Sequence, residues 1–121
     1  MKNLWTTILV KDMDASVQFY TEILGLPLQQ RYSPTPDMEI TFLGDGETHF
    51  EMIHQKGVEV NHSSAVSTGF QIESVDEMIN KLKTNGIEIL DEPISPAPHI
   101  TFFHVLDPNG YKIQLVELKS I

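Results

Sequence analysis

The chain has 121 residues, a formal net charge of −9 and no cysteine. This length is that of one domain and allows roughly two thirds of the surface to be buried on folding. Disulfides and thiolate metal sites are excluded, and the lack of cysteine agrees with a cytoplasmic location. Nothing resembles a signal peptide or a spanning helix, and no Lys/Arg cluster exists to neutralise phosphates. We therefore expect a cytoplasmic protein without a nucleic-acid or membrane partner.

The first half of the chain is predicted to fold as β-α-β-β-β. Alternation and β-branched residues predict a strand at residues 4–10, and Asp12 or Asp14 is expected to cap the helix that follows. Gly25 is predicted to end this helix. The other elements of this half are strands at 28–32, 38–43 and 48–54, with a loop at 33–37.

The second half is predicted to repeat the same order of elements. A strand at 68–73 precedes a helix that starts at a capping box, Ser74 to Glu77, and ends at Asn85-Gly86. The elements predicted after it are a short strand at 87–90, a loop at 93–98, and a hairpin of strands 100–106 and 111–116 around the turn Asp107-Pro108-Asn109-Gly110.

The two halves are related in sequence as well as in pattern. Met13-Asp14 corresponds to Val75-Asp76, and Ile40-Thr41-Phe42 corresponds to Ile100-Thr101-Phe102. We infer an α+β fold in which one domain contains two βαβββ modules, at about 1–55 and 66–121, joined by a polar linker at 56–65. Each half-sheet is too small to bury both faces. The modules are therefore expected to pack together or to swap across a dimer, and the linker could cover the pocket.

Strand parity separates two faces in the predicted sheet. One face is apolar and is expected to carry the helices. The other mixes polar and apolar groups in every strand, which is typical of a small-molecule cavity, although a solvent-facing surface is the alternative. The residues sorted to this mixed face are Trp5, Thr7, Leu9, His49, Glu51, Ile53, Ser67, Gly69, Gln71, Lys112, Gln114 and Val116.

Both ends of the chain resemble a known family. Residues 4–25, LWTTILVKDMDASVQFYTEILG, resemble the opening of the vicinal oxygen chelate superfamily, and residues 107–117, DPNGYKIQLVE, resemble its closing signature. This superfamily contains glyoxalase I, fosfomycin- and bleomycin-resistance proteins and extradiol dioxygenases. The resemblance implies paired βαβββ modules that form a cupped mixed sheet with helices on its outer face. It also implies a homodimer that binds a small molecule.

The resemblance also implies where a divalent metal would bind in the enzymes of the superfamily. The four ligand positions correspond here to Trp5, Glu51, Ser67 and Gln114, and only Glu51 matches the usual pattern of His and Glu. An indole has no free lone pair, and a hydroxyl or an amide is a weak ligand for zinc or nickel. We therefore expect no metal cofactor, and the catalytic residues, if any, stay unassigned.

Three functions are consistent with the sequence. The leading hypothesis is a metal-free glyoxalase/bleomycin-resistance-like protein that binds a small aromatic or cationic molecule. Its ligand-binding residues would be Trp5, His49, Glu51, Ser67 and Gln114. The alternative is a divalent-metal-dependent lyase or dioxygenase with a shifted ligand set built on His49 and Glu51. A third is a scaffolding dimer with an occluded cavity, in which Trp5 fills the core and Glu51 is a solvated or paired carboxylate. His104 has no assigned place in the cavity.

Overall fold

The computed structural model describes residues 1–119 and forms two compact units, Met1–Asn61 and His62–Ile121. Each unit has one helical segment and one mixed four-stranded sheet, in the order β-α-β-β-β. The predicted α+β fold of paired βαβββ modules is therefore confirmed. That the two units form a single domain stays a prediction.

In the sheet of the first unit, the first strand pairs with the last strand. Its sheet has the strand order β1-β4-β3-β2, with β1 parallel to β4 and the other neighbours antiparallel. Asp12 caps α1 by accepting a 3.0 Å hydrogen bond from the backbone of Ala15. The elements are β1 (Trp5–Leu9), α1 (Met13–Gln18), a π-helical turn (Phe19–Ile23), β2 (Leu28–Thr35), β3 (Met38–Leu43) and β4 (His49–Gln55).

Gly25 ends the helical segment, as the sequence predicts. The N–H of Leu24 donates to the carbonyl of Phe19, and the N–H of Leu26 reaches back to the carbonyl of Tyr20 at 2.9 Å. This closing bond requires a left-handed residue between them, and Gly25 supplies it with φ +86°. The chain can then turn directly into β2.

One face of the first sheet is covered by this helical segment. The rings of Tyr20 and Phe50 lie 5.0 Å apart between the helix and β4. The hydroxyl of Thr41 contacts Sδ of Met13 at 3.2 Å. The buried apolar side chains of this layer are Met13, Phe19, Tyr20, Leu43, Phe50 and Met52. The opposite face of the sheet is therefore left open within this unit.

The second unit repeats the arrangement, with the strand order β5-β8-β7-β6. The start of α2 is capped twice: Ser74 Oγ accepts from the N–H of Glu77 at 3.2 Å, and Glu117 Oε1 accepts from the N–H of Val75 at 2.8 Å. Within residues 1–119, no helix has the length and apolar character that a membrane crossing needs. The elements are β5 (Ser67–Ile72), α2 (Val75–Thr84), β6 (Ile94–Ala97), β7 (Ile100–Leu106) and β8 (Lys112–Leu118).

The turn between β7 and β8 is organised by one buried carboxylate. Oδ1 of Asp107 accepts hydrogen bonds from the N–H groups of Asn109 (2.8 Å) and Tyr111 (2.9 Å). Gly110 adopts φ +92°. A β-carbon at this position would lie 2.9 Å from Nδ1 of His62. The turn that the sequence predicts is thus confirmed, and it depends on glycine for both conformation and space.

The structure differs from the sequence prediction at both edge strands. The loop predicted at 33–37 is partly strand, because β2 continues to Thr35, and the loop predicted at 93–98 contains β6. Each of these strands contains a proline, Pro34 or Pro96, which is tolerated because an edge strand needs no donor on its outer side. The prediction of a strand at 87–90 is wrong, because the structure has only an isolated bridge there, between Ile89 and Val105.

Candidate functional site

The open face of the first sheet brings three of the predicted site residues together. In the parallel ladder of β1 and β4, Trp5 is aligned with His49 and Thr7 with Glu51. Aligned residues in a ladder point to the same face, so these four side chains form one patch. The strand order places β1 at the sheet edge and β4 inside it. All four side chains of the patch are therefore held by paired strands, β1 and β4.

Trp5 is not a core-filling residue in this chain, because 49% of it is exposed. Its ring packs edge-on against Phe42, with the ring centroids 5.8 Å apart and the planes at 80°. Phe42 comes from β3, where it is aligned with Glu51. The patch thus presents an indole face that is held by a second aromatic ring and stays accessible to a planar ligand.

Glu51 is a buried carboxylate with one oxygen engaged by the protein. The residue is 9% exposed, and its Oε1 accepts a 2.5 Å hydrogen bond from the hydroxyl of Thr7. Residues 1–119 give Oε2 no hydrogen bond, and none of their fully buried polar side-chain atoms lacks a partner. Oε2 must therefore reach solvent. A buried charge is costly unless it is compensated, so this oxygen favours a cation or a hydrogen-bond donor.

The open face of the second sheet carries the other two predicted residues. Ser67 is exposed and aligned with Lys112, while the half-buried Gln114 is aligned with Gly69. A β-carbon on Gly69 would approach Oε1 of Gln114 to 3.2 Å. The glycine therefore gives the amide of Gln114 room to lie across the strand.

His104, which the sequence left unassigned, lies on this second open face. It is directly opposite Gln114 in the antiparallel ladder of β7 and β8. Its Nδ1 lies 2.7 Å from Oδ2 of Asp91, and its backbone N–H donates to Oδ1 of the same carboxylate at 2.8 Å. Burial raises the pKa of Asp91, but the two hydrogen bonds from His104 and the charge of Lys112 outweigh it, so the pKa lies below its usual value.

A signal for the place of His104 was present in the sequence. The turn pairs residues that are equidistant from Asn109, and His104 and Gln114 are such a pair. No comparable signal exists for Asp91, because it belongs to an irregular segment beside β7.

The only arginine of the chain lies outside both open faces. Arg31 is aligned with the buried Thr41, and its guanidinium binds Asp14 and Glu39, with Nε 3.0 Å from Glu39 Oε2. The hydrogen bonds to Glu39 and then Asp14 raise the pKa of Arg31 further. This cation is therefore engaged in an exposed ion-pair cluster and is not available as a ligand-binding group on the open faces.

The side chains at the four metal-ligand positions do not fit the metal that the family implies. Trp5 offers only an N–H donor, Ser67 a hydroxyl and Gln114 an amide, which leaves Glu51 as the one strong ligand. Across residues 1–119, no three or more His, Asp or Glu side chains are grouped so that they could hold an ion. His49 adds an imidazole beside Glu51 on β4, but two ligands do not complete a coordination shell.

The chain belongs to the Glyoxalase/Bleomycin resistance protein/Dioxygenase superfamily, whose family model matches residues 3–115. Among curated relatives, the lactoylglutathione lyase of Salmonella typhimurium is 34% identical over 131 residues, which cover 99% of this chain and 95% of that protein.

Solved structures share the fold. The trypanothione-dependent glyoxalase I of Leishmania major has a TM-score of 0.79 and 30% identity, covering 98% of this chain and 86% of its own. The antibiotic-binding protein TnmS3 from Streptomyces sp. CB03234 has a TM-score of 0.75 over 98% of this chain and 97% of its own. At 16% identity, the similarity to TnmS3 shows only that the two proteins share a fold.

Proposed function

We propose that this protein is a metal-free member of its superfamily that binds a small aromatic or cationic organic molecule on its open sheet faces. The observation that carries the proposal is the half-exposed indole of Trp5 beside the buried carboxylate of Glu51, whose second oxygen reaches solvent. An indole face stacks on planar rings and attracts cations, and a carboxylate in a poorly solvated place strengthens that attraction. The activity is sequestration of the ligand without chemical change.

Hydrogen bonds complete the proposed recognition. His49 shares the patch with Trp5 and Glu51, and its imidazole can donate or accept. On the second open face, Ser67 and Gln114 offer a hydroxyl and an amide. On each open face the polar groups orient a ligand, and on the first face the aromatic surface supplies most of the contact area.

The proposal is tested by fluorescence, because Trp5 is the only tryptophan of the chain. Planar aromatic cations, such as N-methylquinolinium, are titrated against their neutral analogues. We expect quenching of the Trp5 emission and a higher melting temperature with the cations, since a ligand that binds only the folded state stabilises it by about 2.7 kcal/mol at a hundredfold excess over Kd. Glu51→Gln should weaken cation binding.

Glu47→Gln is the matched control, because Glu47 is an exposed carboxylate in the turn before β4. It removes the same charge without touching the patch and should leave cation binding unchanged. Equal losses in the two variants would mean that only net charge matters. No response to any aromatic or cationic compound would instead support the scaffolding function with an occluded cavity.

A metal-dependent lyase or dioxygenase built on His49 and Glu51 is the second candidate. The relative named lactoylglutathione lyase, similar over nearly the full length of both chains, supports it. Metal analysis of protein purified without chelator separates the candidates. Stoichiometric zinc, nickel, manganese or iron that is lost in His49→Ala would replace the metal-free proposal.

The predicted homodimer and cytoplasmic location are part of the same proposal. The family resemblance supports the dimer, and the lack of cysteine agrees with a reducing compartment. Sedimentation equilibrium tests the dimer directly. A single species of the monomer mass at micromolar concentration would contradict it.

A further inference from the structure

The second open face contains two groups, His104 and Lys112, that the proposed binding function does not use. His104 lies opposite Gln114, and Lys112 precedes Gln114 by two residues on β8, so all three side chains share one face. Lys112 is aligned with Leu106 in the same ladder. An imidazole, an amide and an ammonium group are thereby placed side by side.

Asp91 fixes the orientation of the imidazole. One carboxylate oxygen binds Nδ1 of His104 at 2.7 Å and the other binds the backbone N–H of the same residue at 2.8 Å. Because a carboxylate only accepts hydrogen bonds when ionised, Nδ1 must carry the proton, and the lone pair of a neutral ring is on Nε2. This is the arrangement in which a histidine accepts a proton at the nitrogen remote from its carboxylate partner.

Nε2 of His104 is accessible. The side chain is 13% exposed, and residues 1–119 supply no hydrogen-bond partner to this nitrogen. Since every fully buried polar side-chain atom in that range has a partner, Nε2 must reach solvent. A ligand hydroxyl can therefore approach it directly.

Charged groups of both signs lie around His104, and Lys112 is the cation that shares its face. Asp91 faces the ring from the segment next to β7, and Lys112 comes from β8. Strand β6, on the other side of β7, contains no charged residue. The ammonium group of Lys112 makes no ion pair or hydrogen bond within the part of the chain that is described. Lys83 and Glu92 lie with Asp91 around a cavity of about 380 Å³.

An apolar surface adjoins the polar groups. The ring of Phe102 meets that of His104 edge-on, with the centroids 5.7 Å apart, and Phe102 is aligned with Val116. A planar ligand could lie on these two side chains with one polar edge directed at His104 and Gln114.

We propose that this cluster binds a planar, weakly acidic hydroxyl compound, a phenol or an enol, and removes its proton. The hydroxyl gives its proton to Nε2 of His104, so the O–H bond breaks, an N–H bond forms and the imidazole becomes an imidazolium paired with Asp91. The oxyanion that remains is held by the ammonium of Lys112 and the amide N–H of Gln114. This inference rests on the proposed small-molecule binding and names the chemical class of one ligand.

The test uses the full chain, 4-nitrophenol and its methyl ether, 4-nitroanisole. Only the phenol can lose a proton, and its anion absorbs visible light. We expect both compounds to bind, and the acid dissociation constant of bound 4-nitrophenol to rise about tenfold or more through the nearby positive charges. In His104→Gln this rise should become much smaller, because only the charge of Lys112 remains, while 4-nitroanisole still binds.

Two further variants keep the test decisive. Asp91→Asn retains a side chain of the same size but removes the charge that supports the imidazolium. The acid dissociation constant of bound 4-nitrophenol should therefore rise less than in the wild type, while 4-nitroanisole should still bind. His99→Gln, at an exposed turn position, should behave as the wild type. If both compounds bind and the acidity of the phenol is unchanged, the inference alone is wrong. If neither compound binds to the wild type, small-molecule binding on this face is contradicted as well.

Discussion

The hydroxyl of Thr7 donates a 2.5 Å hydrogen bond to Oε1 of Glu51 on the neighbouring parallel strand. This contact fixes the direction of the one strong anionic group on the first open face. Because Thr7 has a single hydroxyl proton to donate, it satisfies one carboxylate oxygen and leaves the other in contact with solvent.

The first prediction concerns this pair. Thr7→Val removes the hydrogen bond with little change in volume and should lower the free energy of unfolding by about 1.5–3 kcal/mol, as for a bond to a charged group. Urea denaturation measures the change. In a Glu51→Gln background the same substitution should cost less, because the acceptor is no longer charged. Equal costs in both backgrounds would show that the two residues are not coupled.

The second prediction concerns acid stability. The pKa of Asp91 is lowered in the folded state, so its carboxylate stabilises the fold above the unfolded pKa of about 3.9 and that contribution is lost as the pH falls through the lower folded value. The difference in unfolding free energy between wild type and Asp91→Asn should therefore be constant near neutrality and shrink below about pH 4.

Urea titrations over this pH range test the acid prediction, with Asp45→Asn as the control. Asp45 is an exposed carboxylate in the turn between β3 and β4. The difference for Asp91→Asn should shrink on acidification by more than the difference for Asp45→Asn. A difference for Asp91→Asn that grows on acidification would have the wrong sign and would contradict the prediction.

The third prediction concerns the turn glycine. Gly110→Ala should destabilise the protein by about 1–2 kcal/mol, because alanine is strained at φ +92° and its β-carbon would lie 2.9 Å from the ring of His62. Thermal unfolding measures this cost. Gly46→Ala, where a β-carbon meets nothing within 4 Å, is the matched control. In a His62→Ala background, the steric part should vanish and the backbone strain should remain.

The fourth prediction concerns Gly69. Gly69→Ala should displace the side chain of Gln114, whose Oε1 would lie 3.2 Å from the new β-carbon. Stability should change by less than about 1 kcal/mol, because a side chain on an open face can rotate. Affinity for 4-nitroanisole should change more than stability does. A crystal structure of the variant with Gln114 unmoved would contradict this expectation.

Local patterns were sufficient to predict the architecture and the shared face of three candidate residues. The repeated helix starts at Met13-Asp14 and Val75-Asp76 indicated two modules, because capping and periodicity are properties of short segments. Strand parity placed Trp5, His49 and Glu51 on one face for the same reason. Those features need no knowledge of distant contacts.

The contact that sequence reasoning did not predict joins a strand to an irregular segment. Asp91 binds His104 from a segment without periodicity, and nothing in its neighbours indicates that partner. Pro34 and Pro96 suggested loops, although both belong to edge strands, where a missing donor costs little. Edge position is a property of the whole sheet and cannot be read from the segment alone.

In each unit the first strand pairs with the last, β1 with β4 and β5 with β8. Thr7 and Glu51, aligned across the first of these pairs, are 44 residues apart. At ribosomal speeds of about 5–20 residues per second, β1 therefore waits several seconds for its partner to emerge. During that interval Trp5 and Leu9 lie on an unpaired nascent strand, and the sheet of the first unit can close only after residue 55 leaves the exit tunnel.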